Sequence, residues 1–519
     1  MQQPAQNIGR DAELLGRFSE EIGEKVPHWD YSSGTPKIVN PTPLVDVTGA
    51  LIDCARTELG LELSSEQTKV LAKMDSGIFG GSVKVRPAVQ IIEDALATGK
   101  LKSGQVVFEA TSGNFGLALG LLRELDISVV ALVSRKVQEG VVKKLNESGV
   151  KTIDLDVDIC PVPGVQVEQN APLAKAVASN VRQQLGQLGF DLSTLDASRD
   201  GVEGLLAHQD VIGLAKLLAK IYEGFCPEQY DNELNMKAHQ LVTGPEIDQQ
   251  LSDLGGSLAD YRVVTTFGTG GTSTGLSSYI SAKHSRRNVH VIFPKENQDV
   301  AGIRAKTKAR GLRMYRPELY AGEHEVDFEQ AKLVLRYFNE KGYDVGESSA
   351  LALYATVQLL NFGVGRKFLV LVADGALKYS EAEPSRRPRS HEVSLEEAVS
   401  NIKEYAGVVW AHGMFVPRKE GISLLASSLG CDESRVEVAS AKDIQTLLAT
   451  QQLPDRLRQI LPQHGAKLLL VCMAGGTSLR VAQILEKSGV NAVSLTGGLS
   501  GLSQAKGGQP LTIIQLAEE

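Results

Sequence analysis

Short runs of β-branched and aliphatic residues alternate along this chain with stretches in which apolar positions recur every three to four residues. The runs at Gln105–Phe108, Val129–Val133, Val263–Phe267, Val289–Phe293 and Phe368–Val372 have strand length, and helical spacing lies between them. Repeated strand–helix alternation predicts βαβ units and a mainly parallel sheet, an α/β fold. The pattern breaks at EAEPSRRPRSH, where proline and charge dominate, so 381–393 reads as a linker. A second, smaller α/β pattern follows over 394–519, whereas residues 1–35 are polar and predict only an N-terminal extension. No internal repeat or low-complexity tract is present.

At 519 residues the chain exceeds one ordinary core. Apolar content of 42% and charged content of 22% are those of a globular protein. A net charge of −8 argues against general nucleic-acid affinity, because nothing neutralises a run of phosphates. The polar N-terminus has no apolar h-region, so no signal peptide is expected, and the most apolar stretches are too short to span a bilayer. Five cysteines, widely spread and without a CxxC, make neither a disulfide framework nor a zinc site, and no metal is expected. A reducing, cytoplasmic setting fits best.

In GGSVKVRPAVQIIEDALATGKL, Ser82 reads as an N-cap, Ala88, Ile91, Ile92, Ala95 and Leu96 recur at helical spacing, and Gly99 suits the helix end. Lys84 then lies in the first helical turn, where the partial positive charge of the helix start favours a neutral amine. A neutral amine is what condenses with an aldehyde. Two strand–loop–helix junctions read either as anion sites or as tight α/β turns that need glycine for purely structural reasons. One is Thr111-Ser112-Gly113-Asn114, suited to a small carboxylate. The other is Gly268-Thr269-Gly270-Gly271-Thr272, whose glycines let the backbone wrap a phosphate.

These segments, taken in order with NPTPLV, CPEQYDNELNMKAHQLVTGPEI and ADGALKYSEA, resemble the cysteine-synthase/cystathionine β-synthase family of fold type II pyridoxal-phosphate (PLP) enzymes over residues 38–380. The resemblance implies two open α/β subdomains within 36–380, with an insertion at about 157–217, and a homodimer. It implies that Lys84 forms the Schiff base and moves the Cα proton, that Gly268 to Thr272 hold the cofactor phosphate, and that Asn114 bonds the pyridine 3′-oxygen. Thr111, Ser112 and Gly113, with Gln229, would clamp the substrate carboxylate. Where a serine usually meets the pyridine nitrogen, this chain has Asp374, which either fills that role or caps a turn. Phe115, Val85, Glu347 and Ala350 also depart from the family pattern.

Near the C-terminus a buried strand ends at Cys472, followed by a loop and a helix starting about Ser478. A cysteine held by loop N–H groups at a helix start has a stabilised thiolate. This arrangement is similar to the rhodanese active-site loop, although Met473 and Thr477 stand where arginines are common. The expected activity is β-replacement on an activated serine (O-acetylserine or O-phosphoserine type) through an aminoacrylate, with sulfur handled at Cys472. Two alternatives stay open: a cysteine lyase that passes sulfur to Cys472, and an enzyme whose C-terminal unit is a non-catalytic binding module.

Overall fold

The computed structural model describes residues 5–516 except 24, 31–35, 135–136, 138, 156–170, 297, 299, 377–390, 413–414, 451, 461–465, 473–475, 497, 500–501 and 503–513. In chain order the principal strands of the large unit are β1 (Leu44–Asp46), β2 (Lys69–Met74), β3 (Val106–Ala110), β4 (Ser128–Val133), β5 (Val150–Asp154), β6 (Arg262–Thr266), β7 (Val289–Pro294), β8 (Gly322–Val326) and β9 (Lys367–Val372). They form two sheets. One has six strands in the order β8-β7-β6-β9-β2-β1, parallel except for β1, and the other is β3-β4-β5, all parallel.

Side-chain alternation explains why both faces of each sheet are covered. In the small sheet Val107, Val129, Ala131 and Val133 pack on the Val85–Ala97 helix, while Phe108, Ala110, Val130 and Leu132 face the helices Ala171–Gln187, Arg199–Ala207 and Val211–Ile221. The segment expected to be an insertion thus supplies, where described, a helical layer on one sheet face. Its ICPVPGVQ stretch lies outside the described residues. In the large sheet Val264, Phe368, Val370 and Val372 face one core, and Val263, Val289, Leu369 and Leu371 the other.

The N-terminal segment is more than a polar extension. Ala5–Gly23 is a helix whose Leu14, Phe18 and Ile22, spaced by four, enter the core beside the Val85–Ala97 helix. The C-terminal unit has its own sheet of β10 (Glu392–Val393), β11 (Tyr405–Trp410), β12 (Val436–Val438), β13 (Lys467–Val471) and β14 (Ala492–Leu495), in the order β10-β14-β13-β11-β12 and parallel throughout. Val408, Trp410, Leu469 and Val471 fill one core, and Val409, Leu468 and Leu470 the other. The predicted linker lies mostly outside the described residues. Among the described residues no disulfide forms, no helix is long and apolar enough to cross a membrane, and no group of three or more His, Cys, Asp or Glu could hold a metal ion.

Candidate active site

The carboxyl ends of β3, β6 and β9 converge, the usual place for a site in open α/β sheets. Beyond β9 the chain continues extended, so Val83 N–H donates to Ala373 O (2.7 Å) and Ser82 pairs antiparallel with Asp374. This bridge replaces the expected N-cap. Ser82 makes no capping hydrogen bond, the helix starts at Val85, and Lys84 stands at the cap position. The helix ends, as its spacing predicts, just before Gly99, at Ala97. Arg86, two residues on, is locked to Asp75 (2.8 Å) and Glu246 (2.6 Å), and Lys73 also reaches Glu246 (2.6 Å), all buried. The backbone that carries Lys84 is therefore held from both sides.

Lys84 reaches toward the β6 loop: a Cβ built on Gly268 would lie 3.8 Å from Lys84 Nζ and 2.7 Å from Gly302 O. Burial of its amine lowers the Lys84 pKa from 10.5 to about 8; the Asp374 carboxylate opposes that shift and the Arg304 cation adds to it. Gly270, at φ +89, turns the loop into the Gly271–His284 helix, and Gly271 N–H donates to Thr269 Oγ1 (3.3 Å). Thr269 Oγ1 accepts from Asn235 Nδ2 (3.0 Å), and Thr272 Oγ1 bonds His239 Nε2 (3.2 Å). The second His239 nitrogen bonds Thr243 Oγ1 (3.0 Å). Burial is the main reason the His239 pKa falls to about 3, so the ring is neutral.

The structure brings Asn114 and Asp374 together: Asn114 Nδ2 donates to Asp374 Oδ2 (3.0 Å), while Ser348 Oγ donates to Oδ1 (3.0 Å). Asp374 is buried, and its backbone carbonyl accepts from Gly346 N–H (2.9 Å). Buried Asn114 Oδ1 has no partner among the described residues. Thr111 Oγ1 accepts from Gly113 N–H (3.0 Å) and Gly116 N–H (3.2 Å), shaping the start of the Asn114–Ala118 helix, and Ser112 is exposed. Gln229 Nε2 donates to Ala110 O (3.2 Å) and Glu109 Oε1 (3.4 Å), next to the Thr111 loop. Glu109, buried, has its pKa pushed up to about 8, chiefly by that burial. Phe115 is core, and Glu347 accepts from Ala301 N–H (3.2 Å).

A family model described as pyridoxal-phosphate dependent enzyme matches residues 39–374. The chain belongs to this family. The match ends before the C-terminal sheet begins. The PLP-dependent enzyme is similar to cysteine synthase of Staphylococcus aureus (24% identical, covering 66% of this chain and 94% of that one) and to cysteine synthase of Aquifex aeolicus (28% identical, 66% and 89%). Among solved structures it is similar to O-acetylserine dependent cystathionine β-synthase from Helicobacter pylori, at a TM-score of 0.48 and 20% identity, covering 67% of this chain and 96% of that one.

The residues fit the cofactor. The unpartnered Asn114 Oδ1 marks polar space beside Asp374, Lys84 supplies a primary amine of depressed pKa, and the Gly268 cradle stays open only because no side chain fills it. His239 sits inside the 226–247 segment of the motifs quoted above, and Glu109 lies just before the Thr111 loop, but neither carries a local signal of its own. Arg304 lies in none of those motifs and is placed here only by the fold. Cys472 is elsewhere, in the C-terminal unit at the end of β13.

Proposed function

We propose that this PLP-dependent enzyme catalyses β-replacement on an activated serine, yielding cysteine or a related β-substituted alanine. The observation that carries the reading is a single lysine amine, Lys84, facing the Gly268 loop with its pKa lowered to about 8 and the Asp374 carboxylate close by. Bound PLP supplies an electron sink for negative charge developing at the substrate Cα. Lys84 Nζ would hold the cofactor aldehyde and, once freed by substrate, would take up the Cα proton. The loop from Gly268 to Thr272 would hold the phosphate, with Thr272 braced by neutral His239. Asp374 would hold a proton at the ring nitrogen, and Asn114, bonded to Asp374 through its Nδ2 (3.0 Å), would bond the 3′-oxygen. The Thr111–Gly113 loop binds the substrate carboxylate, and Gln229, tethered to Glu109, borders it. Incubating holoenzyme with sulfide and O-acetylserine or O-phosphoserine should give cysteine by mass spectrometry. Absence of any β-substituted product overturns the reading, and pyruvate and ammonia from cysteine alone would mark a lyase instead.

The division into a catalytic unit (36–380) and a rhodanese-like unit (394–519) is part of the same proposal, supported by their separate hydrophobic cores. Cys472 directly follows β13 of an all-parallel sheet, and Ser478 Oγ lies 3.3 Å from its Sγ, at the start of the Gly476–Lys487 helix. We infer that Cys472 carries sulfur for the reaction. Cys472→Ser should abolish sulfur transfer from a persulfide donor while cysteine formation from free sulfide continues. Unchanged transfer would leave the unit a binding module.

A further inference from the structure

We propose that Arg304 selects a substrate whose β-substituent is anionic, so that the donor is a phosphorylated rather than an acetylated serine. The inference rests on the β-replacement reading and narrows its substrate class. Arg304 is 5% exposed and fixed by the fold at the site. Its N–H donates to Phe267 O (3.0 Å), one residue before the Gly268 cradle, and its guanidinium carbon lies 5.0 Å from the Tyr230 ring centroid, Tyr230 being the residue after Gln229. The segment leading to it crosses the site. Gly302 O limits Gly268, a Cβ on Gly302 would lie 3.8 Å from Ser112 Oγ, and Ala301 N–H donates to Glu347. Arg304 therefore stands between the cofactor cradle and the substrate loop. Its positive charge is felt at Lys84, where it helps to depress the amine pKa.

A guanidinium whose face rests on an aromatic ring turns its N–H edges to in-plane acceptors, and the phosphate dianion is the anion that geometry suits best. The substrate carboxylate has the Thr111 loop for itself, so a buried cation near Lys84 adds nothing for a neutral acetyl ester. It lowers the energy of a phosphoryl group as that group departs. The step balances without an oxidant or reductant. The β C–O bond breaks with its electron pair leaving on phosphate, and the Cα proton passes to Lys84. Sulfide then supplies the pair for the β C–S bond, and a proton returns to Cα.

The test compares kcat/KM for O-phosphoserine and O-acetylserine, with sulfide, in wild-type holoenzyme and in Arg304→Ala and Arg304→Lys. The wild type should prefer O-phosphoserine. Arg304→Ala should lose about 100-fold with O-phosphoserine and less than about threefold with O-acetylserine, with Arg304→Lys between them. Cofactor content and Tm are measured for each variant, and retained O-acetylserine turnover shows that the site is intact. Equal losses on both donors would assign Arg304 to a part they share, and loss of cofactor would assign it to PLP; either overturns the proposal while β-replacement stands. Failure of the wild type on both donors would remove the β-replacement reading itself.

Discussion

The amine of Lys84 offers a quantitative test, because its ionisation sets how fast apoenzyme can capture the cofactor aldehyde. With a pKa of about 8 instead of 10.5, roughly a quarter of Lys84 is neutral at pH 7.5, against about one in a thousand for an ordinary lysine. If capture follows the neutral fraction, its rate rises about eightfold between pH 6.5 and 7.5 and by only about a tenth between pH 9 and 10. An unperturbed lysine would show that eightfold step between pH 9 and 10. The assay is stopped-flow absorbance after mixing apoenzyme with PLP across pH, divided by the rate constant for the neutral amine of a free lysine derivative, its observed rate corrected for its own neutral fraction, so that only ionisation of the cofactor cancels. Replacing Asp374 with Asn removes the charge that supports the ammonium form, and the midpoint should move to lower pH. A normalised rate still climbing several-fold per unit above pH 9 would refute the buried, depressed amine.

Glu246 joins Lys73 and Arg86 in the dry, so Glu246→Gln leaves excess buried positive charge and should cost about 3–5 kcal/mol in urea unfolding; a loss under about 1 kcal/mol would contradict the buried network. Gly268→Ala would put a methyl group 2.7 Å from Gly302 O, and dialysis should strip cofactor from the variant at least about tenfold more readily while its circular dichroism is unchanged. Phe18 is 0% exposed, so Phe18→Ala should destabilise the large unit by about 3–5 kcal/mol; an effect near zero would mean the N-terminal helix is not part of the core.

The lysine and the glycine loop are legible in sequence because each is a local device, a helix start or a strand–loop–helix turn whose residue types follow from backbone geometry. Asp374 is different. Its meaning depends on Asn114, which is distant in sequence, and on Ser348, so the chain alone leaves it between a turn and a site. Ser82 misleads for a related reason: it looks like a cap until the extension of β9 claims it as a strand partner. The N-terminal helix escapes notice because its polar face dominates the composition, although Leu14, Phe18 and Ile22 carry a readable four-residue spacing. Arg304 has no motif. Only its contacts with Phe267 and Tyr230 bring it to the site.

Reduction of the holoenzyme with borohydride, followed by proteolysis and mass mapping, bears most directly on the whole account. The reduced cofactor should be found on the peptide containing Lys84 and nowhere else, and Lys84→Ala should abolish the adduct. Label on a different lysine, or no covalent label in protein that binds PLP, would contradict it.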